Sequence, residues 1–67
     1  LEPEFALARE LIGARAKAKL TQGEVARRMG TSQSAVARME SGRKMPSTAS
    51  LQKYARAVGR ELRIALR

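Results

Sequence analysis

The sequence holds no cysteine and no histidine. The first absence excludes disulfides and thiolate metal sites. The second removes the side chain most often used as a general base and the commonest metal ligand. The six acids are scattered, with no pair spaced for acid–base work, so neither an enzyme nor a metal or cofactor site is expected. Aromatic residues are almost missing: only Phe5 and Tyr54 are present, and the core must be built from small and aliphatic groups. No apolar run approaches the roughly 20 residues a membrane-spanning helix needs, and no signal peptide is visible. A cytoplasmic protein is expected. The first residue is Leu1 rather than a methionine, so the chain is expected to be a piece of a longer protein.

What is present is positive charge. Fourteen Lys and Arg against six acids give a net charge of +8, and the isoelectric point is near 11.4. That balance predicts a polyanionic partner, although charge alone does not separate it from a merely well-solvated surface. Sixty-seven residues make one small domain with one thin core, and domains of this size often lean on a partner.

The pattern reads as all-α, a bundle of four short helices over 4–59, with one strand over 61–67. The first helix spans about Glu4 to Ala18. At 100° per residue Phe5, Leu7, Ala8, Leu11, Ile12 and Ala18 fall on one arc of about 160°. Arg15 sits near the middle of that arc, and a buried cation there demands a carboxylate. Thr21 and Glu24 have the T-x-x-E spacing of a capping box at the start of a second helix, which Gly30 ends. A third helix is capped by Thr31 or Ser32 and runs to about Glu40, with Gly42 stopping it. Ser47 caps a fourth, which buries Leu51, Tyr54, Ala55 and Val58 and ends at Gly59. Then the period changes: Leu62, Ile64 and Leu66 alternate with Arg63, Ala65 and Arg67, as in a half-buried strand that must find a pairing partner.

The segment from Gln22 to Met39 carries the functional signal. Two consecutive short helices meet at a small residue, Ala26, turn at Gly30, and place Val25, Met29, Val36 and Met39 beneath them. The outer face of the second is polar or small: Gln33, Ser34, Ala37 and Arg38. That is what a helix entering the DNA major groove requires. From about Leu11 to Gly59, and most clearly in "LTQGEVARRMGTSQSAVARMESGRKMPS", the chain resembles the Cro and phage-repressor domain of the XRE family.

The resemblance implies a sequence-specific, DNA-binding transcriptional repressor. It gives Arg15 a partner, because Arg15 and Glu40 stand where this family commonly forms a structural ion pair. Gln22 matches a glutamine that contacts phosphate. Gln33 matches one that reads adenine, with an amide suited to that base's N6/N7 edge. Ser34 and Arg38 match neighbouring reading positions, with Ala37 on the same face; Arg38 suits guanine O6/N7 but is equally open to phosphate or solvent. Arg43 and Lys44 lie in the loop with which the family grips backbone phosphate, while Arg27 and Arg28 read as solvated helix surface. The tail "VGRELRIALR" and the opening "EFALARELIGARAKAKLTQ" resemble antitoxins of the HigA and HipB kind, in which a short strand pairs with its twin. The expected partners are therefore double-stranded DNA carrying a palindromic operator, a second copy of the chain joined through Leu62, Ile64 and Leu66, and a small RNA-cleaving toxin. A stand-alone XRE regulator and a protein-interaction module with weak DNA contact are the alternatives.

Overall fold

Helix boundaries in this chain follow its hydroxyl residues and its left-handed turns. The computed structural model describes residues 3–59 and consists there of α1 (Pro3–Lys17), α2 (Gln22–Met29), α3 (Gln33–Met39) and α4 (Thr48–Ala57). The strand expected over 61–67, with Leu62, Ile64 and Leu66, lies outside the described residues. Thr21 and Glu24 form the reciprocal capping box. The Thr21 hydroxyl accepts the Glu24 N–H at 3.0 Å, and the Glu24 carboxylate accepts the Thr21 N–H at 2.8 Å. Ser32, not Thr31, caps α3 by accepting the Ala35 N–H at 3.1 Å. Ser47 caps α4 in the same way through the Ser50 N–H.

The exits differ more from expectation than the entries do. Gly30 leaves α2 in the left-handed region at φ 72°, as a glycine there should. α1 closes with the same geometry but without a glycine. Lys19 stands at φ 59°, with its N–H donating to the Ala16 carbonyl and the Leu20 N–H to the Arg15 carbonyl. This is a Schellman closure that nothing in the local composition announces, and it carries the steric cost of a side chain in left-handed backbone.

The core is built where α2, α3 and α4 meet beneath α1. Val25, Val36 and Tyr54 are its largest fully buried side chains, and Ala26, Leu11, Ala57 and Val58 complete it. Leu7, Ala14, Ala18, Leu20, Met29, Met39 and Leu51 pack around these. Phe5 and Ile12 do not join them: they remain 46% and 39% exposed. The bundle covers the strip of α1 that holds Leu7, Ala8, Leu11, Ala14 and Ala18, so the two residues at the margin of the expected arc are left outside. Phe5 still has a local task, because its ring lies over the turn after α3. A Cβ at Gly42 would fall 2.8 Å from Phe5 Cδ1 and 3.1 Å from Phe5 Cα. On α4, Ala57 is buried and Ala55 only half-buried, the reverse of the expected side. α2 approaches from the Ala57 side, where the Arg28 guanidinium donates to the Ala57 carbonyl at 2.9 Å.

These turns give a graded prediction. Lys19→Gly should stabilise the fold by about 0.5–1 kcal/mol, the relief of left-handed strain less the added unfolded-state entropy. Gly30→Ala should destabilise it by about 1–2 kcal/mol. Gly42→Ala should cost more than Gly30→Ala, because strain at φ 75° is joined by collision with Phe5. Thermal unfolding followed by circular dichroism orders the three.

Candidate nucleic-acid interface

The candidate recognition surface is a helix of only seven residues, α3, which could not hold its direction unaided. Its inner side is fixed by Val36, fully buried, with Ala35 and Met39 packed to a lesser degree. Its outer side presents Gln33, Ser34 and Arg38, all exposed, with Ala37 half-buried between them. Gln33 leans toward the start of α2, since its Oε1 lies 3.9 Å from where a Cβ would stand on Gly23. Arg43 and Lys44 are exposed in the loop beyond. The Arg43 N–H bonds the Ser41 hydroxyl, which in turn donates to the Arg38 carbonyl at 2.7 Å.

At the other end of α3 is Glu40, whose side chain is only 3% exposed. Arg15 meets it in a two-pronged pair, Nε to Oε2 at 2.8 Å and Nη2 to Oε1 at 2.9 Å. The remaining Arg15 prong donates to the Leu20 carbonyl at 3.1 Å. Two further donors reach the same carboxylate. Gln22 Nε2 donates to Oε1 at 3.0 Å, and the Tyr54 hydroxyl stands 2.6 Å from Oε2. The Leu11 carbonyl is also 2.8 Å from that hydroxyl, but a phenol has one proton, and the charged acceptor is the stronger claimant. Among the described residues no buried side-chain nitrogen or oxygen is left without a partner.

The electrostatics follow. Burial pushes the Glu40 carboxyl up, but hydrogen bonds from Arg15, Tyr54 and Gln22 outweigh it and hold the group below the usual carboxylate range. The Arg15 guanidinium is raised, chiefly by its hydrogen bond to Glu40. Tyr54 is pushed far up, first by burial and then by the adjacent carboxylate.

The structure thus brings Arg15 and Glu40 together and gathers Gln33, Ser34, Ala37 and Arg38 on the outer part of α3. It draws Gln22, expected at a phosphate, into the buried network through one amide proton. Two participants escaped the sequence reading. Tyr54 was expected in the core, yet its hydroxyl had no assigned partner, although a buried phenol beside a buried ion pair signals one. Arg28 was read as solvated surface and instead caps the last turn of α4.

Removing Glu40 alone should cost about 3 kcal/mol. That is the lower end of the range for a broken buried pair, because the Arg15 side chain remains 19% exposed. Arg15→Met combined with Glu40→Leu should recover much of the loss, since Tyr54 retains the Leu11 carbonyl as acceptor. Unfolding of the two single variants and the double checks this.

The same network sets an acid limit. With its folded value lowered, Glu40 contributes its full stabilisation above its unfolded pKa of about 4.3 and loses it as pH falls through the folded value. Thermal melts from pH 7 to pH 2 should show a decline in Tm below about pH 4 that is shallower in Glu40→Gln.

The model of the helix-turn-helix family matches residues 11–64. No curated protein matches the chain significantly. The matched span takes in α2, the turn at Gly30, α3, the loop with Arg43 and Lys44, and all of α4. Among the described residues no helix is long and apolar enough to cross a membrane. The chain belongs to the helix-turn-helix family and is a DNA-binding transcriptional regulator of the XRE kind.

Proposed function

We propose that the chain is a dimeric operator-binding repressor that serves as the antitoxin of a two-gene pair, repressing its own operon and neutralising an RNA-cleaving toxin. The observation that carries the DNA-reading part is the exposed polar face of α3 beside a cationic loop. Gln33, Ser34 and Ala37 meet base edges in the major groove, and Arg38 stands at the rim of that face. Arg43 and Lys44 grip backbone phosphate. Gln22 has one amide proton left to donate to phosphate, while its bond to Glu40 orients it. The acids support this division. Between Val25 and Gly59 the only one is Glu40, and it is buried against Arg15, so the exposed surface there is free of opposing charge.

Dimerisation is assigned to 61–67. An alternating segment with Leu62, Ile64 and Leu66 on one side is too small to fold alone, and a two-fold axis lets it pair with itself. Such pairing puts two copies of α3 about 34 Å apart, on successive turns of a palindromic operator. The antitoxin role rests on the likeness of "VGRELRIALR" and of the opening segment to HigA- and HipB-type proteins. Co-expression with the product of the adjacent gene tests it: rescue of growth supports it, and the absence of a toxic neighbour leaves a stand-alone regulator.

Gln33→Ala should relax base preference and cost about 1–3 kcal/mol against the best operator. Arg43→Ala or Lys44→Ala should weaken all sequences alike and reduce the salt slope by roughly one unit each. Binding-site selection with each variant separates the two outcomes. Ile64→Pro, which deletes an N–H and locks the backbone, should dissociate the dimer and lower full-site affinity to that of a half-site. Ultracentrifugation, with circular dichroism as the folding control, measures it.

A further inference from the structure

The recognition helix is bordered on its α4 flank by a groove that the roles above leave unused. It is lined by Thr31, Arg38, Ser50 and Lys53 together with Met29 and Met39. Arg38 and Met39 are also walls of a second groove, which continues past Lys44 and Met45 to Ser47. The two grooves thus adjoin at Arg38 and Met39, near the end of α3, and are taken together as one channel. Lys53 lines the first groove, Lys44 the second and Arg38 both, and no carboxylate lines either part.

We propose that this channel seats a DNA phosphate backbone, with Lys53 as a phosphate ligand and Arg38 turned to the backbone rather than to guanine. The inference rests on the DNA-reading role argued above and adds an edge to it. Three arguments carry it. Lys53 is exposed and has no acidic partner among the described residues, so its ammonium is not already engaged in a salt bridge. Two half-buried methionines line it, so a charge seated against them is less screened than on open surface. The channel runs beside the helix that enters the major groove, and the strand bordering that groove must pass along one of the helix's flanks. An acidic protein segment would also be attracted to these cations. A row of cations along a reading helix, with hydroxyl donors from Thr31 and Ser50 beside them, fits a regularly spaced anion chain better.

The test is a salt titration of operator binding by the whole chain, read by fluorescence anisotropy, with Lys53→Gln, Arg38→Gln, Lys44→Gln and Arg56→Gln compared with the parent. Lys53→Gln should lower the log–log salt slope by roughly one unit and affinity by about eightfold at 0.1 M salt, equally for specific and random duplexes. Arg56 is exposed on α4 but lines neither groove, so Arg56→Gln should leave the slope unchanged and control for net charge. Arg38→Gln should lower the slope and keep the base preference at every position. If Lys44→Gln loses its unit and Lys53→Gln loses nothing, the backbone does not follow this channel and the proposal is overturned. A changed preference at one base pair in Arg38→Gln returns that residue to the bases and overturns its half of the proposal. If the parent chain shows no salt-dependent binding to any duplex, the DNA-reading role itself fails, which is a distinct outcome.

Discussion

The Glu40 carboxylate, at the end of α3, takes hydrogen bonds from one side chain on each of the other three helices: Arg15 of α1, Gln22 of α2 and Tyr54 of α4. Withdrawing a carboxylate and a guanidinium from water costs several kcal/mol each, and the attraction between them offsets that only when every remaining lone pair and proton is engaged. Here they are. A hydrophobic pair of similar volume would hold the helices together about as well. Such a pair would not fix their angles, because apolar contacts are non-directional, whereas a two-pronged guanidinium and a phenol accept little rotation.

That directionality compensates for a thin interior. With a single buried aromatic and a core otherwise of valine, alanine and leucine, the bundle has little apolar bulk with which to set the pose of a seven-residue helix. Capping at both ends of the turn, by Ser32 and by left-handed Gly30, fixes where α3 starts. Glu40 fixes where it ends. Phe5 over Gly42 then holds the departing loop against α1, so Arg43 and Lys44 leave from an anchored turn. Stability and the proposed DNA reading therefore meet at α3, and a change at Glu40 or Tyr54 should disturb both without touching a base.

Charge is distributed to match. Two of the acids are engaged internally, Glu24 in its capping box and Glu40 in the network, and two more lie on α1. The stretch from Arg27 to Arg56 consequently shows only cations at its surface. Arg28 is the exception in use, since its guanidinium is bound to the end of α4, where a cation also suits the helix dipole.

The sequence by itself determined the four helices, the caps at Thr21 and Ser47, a hydroxyl cap at Thr31 or Ser32, the turn at Gly30 and the inward residues of α2 and α3. Each of these is settled within a few residues by side-chain-to-backbone bonding or by helical period. It also implied that Arg15 needed a carboxylate, though the choice of Glu40 came from family likeness rather than from spacing. Only the tertiary structure decided how wide a strip of α1 would be covered, leaving Phe5 and Ile12 outside, and on which side α2 meets α4, burying Ala57 rather than Ala55. It alone brought Gln22 and Tyr54 to one carboxylate, sent Arg28 to the Ala57 carbonyl, and imposed left-handed backbone on Lys19. These outcomes depend on where separate helices lie relative to one another. Residues far apart in the chain acquire their distances only when the helices pack, and no local period or cap encodes that.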